Sequence, residues 1–96
     1  PRTARLSVAD ERVAGYIAAL LSVRSIRVER SRASEGPGTA ALWITDPDDA
    51  VDAALSSREP SRKVIVVGGA LPEWRERGAI LVGDPSDIAA IAAALR

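Results

Sequence analysis

The stretch Lys63-Val64-Ile65-Val66-Val67, followed at once by Gly68-Gly69, decides the fold. Val64 to Val67 are β-branched at every position, with no polar residue between them. A strand with one wet face alternates apolar and polar side chains. A strand covered on both faces, as in a parallel sheet flanked by helices, reads as a continuous apolar run. The two glycines end it.

Reading outward, Ala40 to Thr45 (AALWIT) is a second buried strand on the N-terminal side. Asp46-Pro47-Asp48-Asp49 then opens a helix carrying Ala50, Val51, Ala53, Ala54 and Leu55. Asp46 suits the N-cap, Pro47 the first helical position, and Asp49 adds favourable charge to the first turn. On the C-terminal side, Ala79 to Val82 is a strand. Asp84-Pro85-Ser86-Asp87 repeats the helix-opening chemistry before Ile88, Ile91 and Leu95, which point inward. Further upstream, Leu6-Ser7-Val8 is a short strand entering Asp10-Glu11. A helix follows with Val13, Tyr16, Ile17, Leu20 and Leu21 on one face. Ser25 to Arg30 alternates, as a half-exposed edge strand does. Ser31 to Thr39 is a loop by composition. The spacing predicts β-α-β-β-α-β-(short)-β-α: an open parallel sheet, with functional groups collected at its carboxyl edge.

Composition limits the chemistry. The 96 residues allow one domain with one modest core. There is no Cys and no His, so thiol nucleophiles, thiolate metal sites and the usual general base are missing. The formal net charge of zero argues against a nucleic-acid-binding domain. No apolar run reaches the roughly 20 residues of a membrane span, and no secretory signal is visible. A cytoplasmic protein is expected. With no Met and a start at Pro1, residues 1–96 are expected to be a single domain cut from a longer polypeptide.

The strand ends resemble those of the receiver domain of bacterial two-component signalling. Val8-Ala9-Asp10-Glu11 matches the end of the first receiver strand, where an acidic pair holds Mg²⁺. Ile44-Thr45-Asp46 matches the third, which carries the phospho-accepting Asp. Val67-Gly68-Gly69 matches the fourth, which ends in Ser or Thr. Val82-Gly83-Asp84-Pro85 matches the fifth, which ends in Lys-Pro. The resemblance implies an α/β, flavodoxin-like (receiver-like) five-stranded parallel sheet in order 2-1-3-4-5. The short Arg30–Ala40 and Gly69–Ala79 intervals imply reduced second and fourth helices. Whatever replaces the fourth helix must cover the apolar strand Val64–Val67: Trp74 folded back, another domain, a second copy of the chain, or a ligand.

The departures set the expected function. Ala9 stands where the first acid belongs, Gly68 where the hydroxyl belongs, and Asp84 where the Lys belongs. Asp10, Glu11, Asp46 and Asp84 form a remnant acidic pocket without the cation that a transferring phosphoryl group needs. The expectation is a non-catalytic pseudo-receiver, not an enzyme. It would act as a regulatory interaction module on neighbouring domains of a hybrid histidine kinase or an atypical response regulator. Two alternatives stay open: a working receiver phosphorylated on Asp46, and a structural α/β domain without a ligand. Asp46 itself reads as an N-cap as well as an acceptor. Trp74 with Arg75 and Arg77 is a candidate nucleotide site, in which an indole stacks on a base and guanidiniums clamp phosphates. Arg58 and Arg62 add an Arg-xxx-Arg spacing. Cyclic di-GMP is the regulatory ligand this cluster suggests; the competing reading of Trp74 is a lid over the missing helix. No resident cofactor, metal or membrane contact is expected, and a homodimer is a further option.

Overall fold

A computed structural model of the chain describes residues 2–57, 62–69 and 72–96. Five strands form one parallel sheet: β1 (Thr3–Ser7), β2 (Arg27–Arg30), β3 (Leu42–Thr45), β4 (Lys63–Val67) and β5 (Ile80–Val82). Their order is β2-β1-β3-β4-β5. The helices are α1 (Glu11–Val23), α2 (Ala50–Ser56), α3 (Pro72–Glu76) and α4 (Ile88–Ala94), with a 3₁₀ turn at Ala33–Glu35. The protein is therefore an α/β, flavodoxin-like fold with the expected strand order.

β4 explains the layering. Ile65 and Val67 join the core under α1 and α4, with Leu6, Ile17, Ile44 and Ile91. Val64 and Val66 join a separate core under α2 and α3, with Trp43, Val51 and Trp74. One strand thus anchors both cores, which is why it is apolar throughout. Among the described residues β2 pairs only with β1, and it is largely exposed, as its alternation predicts.

The reduced segments are visible. The second helix is replaced by the 3₁₀ turn and its loop, which lie over β1. Arg5, on β1, holds this loop. Its Nη1 donates to the Gly36 carbonyl at 3.2 Å, and its Nε donates to Glu29 on β2 at 3.1 Å. Gly38 has φ +56°, and a Cβ there would sit 2.9 Å from the Arg5 guanidinium. The fourth helix is reduced to the five residues of α3, whose Trp74 is folded back onto Val64 and Val66.

Several local expectations shift. Tyr16 was expected on the inward face of α1, but it is 54% exposed; Val13, Ala14, Ile17 and Leu21 do the packing. β1 lies earlier than Leu6–Val8. α2 starts at Ala50 with Asp49 at the cap position, so Asp46 is not its N-cap. The Asp48 carboxylate instead accepts from the Ala50 N–H at 2.9 Å. The last helix is likewise capped three residues after Asp84, by Asp87, whose carboxylate accepts from Ala90 at 3.0 Å. In both cases the Asp-Pro pair makes a turn at the strand end, and the helix begins one turn later.

Candidate functional site at the carboxyl edge

The strand order reverses between β1 and β3, because β1 leads left to β2 while β3 leads right to β4. In open α/β sheets such a switch point leaves a crevice beyond the carboxyl ends of the strands. Here a pocket of about 290 Å³ opens beside it, lined by Ser7, Ala9, Glu11, Arg30, Arg32 and Asp46, among others. Asp46 bridges the crevice: its Oδ2 accepts from the Ala9 N–H at 2.8 Å. This bond ties the end of β3 to the turn after β1.

The other acids each have their own local partner. Asp10 caps α1, accepting from the N–H groups of Arg12 at 2.9 Å and Val13 at 3.3 Å. Glu11 pairs with Arg30 at 3.1 Å across the pocket mouth. Asp84 lies across the edge beside β5, where it accepts from the Ser86 hydroxyl at 2.7 Å and the Ser86 N–H at 2.9 Å. The hydroxyl bond first, then the backbone bond, holds its carboxyl below the usual aspartate range. Of the four predicted acids, Glu11 and Asp46 line the switch-point pocket, Asp10 is turned to the cap of α1, and Asp84 stands apart. Among the described residues no three acidic side chains are placed to share a metal ion.

Gly68 ends β4 with φ +98°, a conformation that L side chains rarely adopt. A Cβ there would meet the ring of Pro47 at 3.7 Å and that of Pro85 at 3.9 Å. The end of β4 is therefore a glycine turn set between the two Asp-Pro loops. Next to it, a pocket of about 250 Å³ is lined by Gly68, Gly69, Pro72, Arg75, Leu81 and Gly83.

The predicted nucleotide cluster is not assembled as expected. Trp74 is 3% exposed. Its Nε1 donates to Asp52 Oδ1 at 2.8 Å, and Arg77 Nη1 donates to the same oxygen at 2.8 Å. Arg77 also reaches the Asp52 carbonyl at 3.0 Å and the Ser56 hydroxyl at 2.7 Å. The pair is thus a clamp between α3 and α2. The indole cannot serve as an exposed stacking surface, because the apolar face of β4 claims its area. Arg62 is elsewhere, donating to the carbonyls of Ala40 at 3.0 Å and Gly38 at 2.8 Å. Arg58 lies outside the described residues. Among the described residues of this cluster, Arg75 alone faces a pocket at the carboxyl edge.

Sequence reasoning passed over a buried polar chain leading to the switch point. Trp43, fully buried, donates through Nε1 to Ser7 Oγ at 2.9 Å, and Ser7 Oγ lies 2.9 Å from Ser31 Oγ. An indole N–H only donates, so Ser7 accepts from it and its own proton is available to Ser31. The only signal in the sequence was a serine between the apolar Leu6 and Val8. Thr45, also buried, donates to the Asp46 carbonyl at 2.9 Å.

Comparison with protein-family models, with curated proteins and with solved structures finds no match to this chain. Among the described residues no helix is long and apolar enough to cross a membrane.

Proposed function

We propose that this chain is a non-catalytic pseudo-receiver, a docking module that controls a neighbouring kinase or output domain in bacterial signal transduction. The observation that carries this reading is Asp46. It occupies the acceptor position of a flavodoxin-like sheet, yet its carboxylate is engaged by the Ala9 N–H, where a receiver has an acid. Two further features support it. Gly68 has a backbone conformation unsuited to the missing hydroxyl, and Asp84 puts a negative charge where a receiver has lysine. A phosphoryl group arriving at Asp46 would meet carboxylates without the compensating cation of a phosphotransfer site.

The buried indole removes the stacking surface on which cyclic di-GMP recognition depended. The reading is therefore docking through the edge formed by β4 and β5, without a nucleotide. Backbone amide spectra recorded with Mg²⁺ and beryllofluoride, and then with acetyl phosphate, test it. No shift beyond that of Mg²⁺ alone is expected at Ala9, Asp46 or Gly68. Changes centred on Asp46, or a stoichiometric phosphoryl-aspartate by mass, would overturn the proposal in favour of a working receiver.

A further inference from the structure

A buried polar chain ends in the pocket beside the switch point. Ser7, 2% exposed, accepts from the Trp43 indole N–H. Its own buried proton needs an acceptor, and among the described residues the one within reach is Ser31 Oγ at 2.9 Å. The Ser31 proton is then the free end of the chain. Its partner among the described residues is the Arg32 carbonyl at 3.5 Å, well beyond the roughly 2.8 Å of a good hydroxyl bond. Ser31 lines the pocket.

Charge is left without partners at the same place. Glu11, Arg30, Arg32 and Asp46 line the pocket. Glu11 and Arg30 neutralise one another at 3.1 Å. Arg32 gives its backbone N–H to Glu35, but among the described residues its guanidinium has no hydrogen-bond or ion-pair partner. Asp46 uses Oδ2 on the Ala9 N–H, and its Oδ1 accepts nothing from the described residues. Water satisfies isolated surface charges. Here a cation, a hydroxyl proton and an anion border one concavity, and the hydroxyl is aligned by a buried chain.

The sheet sets the distance between these groups. The Ser31 N–H donates to the Leu6 carbonyl at 3.2 Å, and the Asp46 N–H donates to the Ser7 carbonyl at 3.0 Å. Ser31 thus continues β2 and Asp46 continues β3, on the two sides of β1. Two strand spacings separate them, about 9.6 Å. A hydrogen bond of about 2.9 Å at each end leaves roughly 4 Å between the charged groups of a molecule that bridges them.

We propose that this pocket binds a small zwitterion, an α-amino acid with a short side chain. Its carboxylate accepts from the Arg32 guanidinium and the Ser31 hydroxyl. Its ammonium donates to Asp46 Oδ1. An α-amino acid carries its two charges within the distance that the sheet allows. The volume of about 290 Å³ is at the lower limit of small-molecule sites, and Val8, Ala9 and Ala33 supply short apolar walls. This inference does not rest on the receiver reading, because it uses Asp46 as a fixed charge.

Backbone amide spectra of the 96-residue chain, titrated with glycine, L-alanine and L-serine to about 50 mM, test the proposal. Saturating shifts at Ala9, Ser31, Arg32 and Asp46 are expected with at least one of the three, with a Kd of about 1 mM or below. Acetate and methylamine carry one charge each and should bind at least about tenfold more weakly. Arg32→Ala and Asp46→Asn should each weaken amino-acid binding about tenfold or more. Arg32 is exposed, and Asn keeps an acceptor for the Ala9 N–H, so the circular dichroism spectrum should not change. Arg75→Ala, in the other pocket of the carboxyl edge, should leave the affinity as it is. No saturable shift with any of the three amino acids overturns the proposal. Acetate binding as tightly as the amino acids overturns the zwitterion in favour of a simple anion site. Unchanged affinity in both Arg32→Ala and Asp46→Asn overturns the pocket itself.

Discussion

Asp52 holds two donors with one carboxylate oxygen, the Trp74 indole and the Arg77 guanidinium. Replacing it by Ala leaves the indole N–H in a buried site without its acceptor. A destabilisation of about 1–3 kcal/mol is expected by urea denaturation. Arg77→Ala removes only a half-exposed partner and should cost under about 1 kcal/mol. Gly68 makes a different prediction. Introducing a hydroxyl by Gly68→Ser forces a side chain into φ +98°, so stability should fall by about 1 kcal/mol or more. It should bring no gain in phosphorylation with acetyl phosphate. Asp84 gives a pH-dependent signature. Its carboxyl is lowered by the Ser86 hydroxyl and N–H, so the folded state favours the ionised form. The resulting stabilisation is complete above the ordinary aspartate pKa of about 3.9 and is lost as pH falls through the lower folded value. In a carboxyl-carbon titration, Ser86→Ala should move the Asp84 midpoint upward.

At the scale of elements, α3 is held by one side chain. Five residues give little helical stability of their own, so Trp74 and its bond to Asp52 anchor the segment. Trp74→Ala removes the largest apolar contribution of α3 and opens a cavity against Val64 and Val66. A cost of about 3–5 kcal/mol is expected in the same denaturation assay, with Trp74→Phe retaining much of it. The other short segment, over β1, relies on polar contacts instead. Arg5 and Arg62 hold loop carbonyls at Gly36, Gly38 and Ala40. The loop composition was legible in Ser31–Thr39, but these anchors were not, because arginine spacing does not reveal which carbonyl a guanidinium will reach. The Asp-Pro starts were legible as turn chemistry, and only their offset from the helix was missed. A carboxylate can satisfy either a cap or a cross-strand N–H, and proximity to Ala9 decided it for Asp46.

At the scale of the whole molecule, the two cores share β4, so they are expected to unfold as one unit. Both tryptophans report on the α2–α3 face, and Ile91 lies in the core on the other face. Ile91→Ala should lower the urea midpoint of the tryptophan signal as much as that of the helical signal, with one common transition. A tryptophan transition left in place would show two separable layers.

The sequence by itself determined the sheet. Val64 to Val67 had to be buried on both faces, the Asp-Pro turns had to follow strands, and the intervals left no room for two full helices. These are local or periodic properties, and local physics reads them. The tertiary structure alone decided the fate of single side chains. Trp74 turned inward because the bare face of β4 offered more apolar contact than water does. Tyr16 turned outward because Ala14, Ile17 and Leu21 already filled the contact with the sheet. Asp46 joined β3 to β1 because the switch point brings Ala9 within hydrogen-bond reach. Each of these outcomes depends on distances between residues far apart in the chain, and such distances exist only once the sheet has closed.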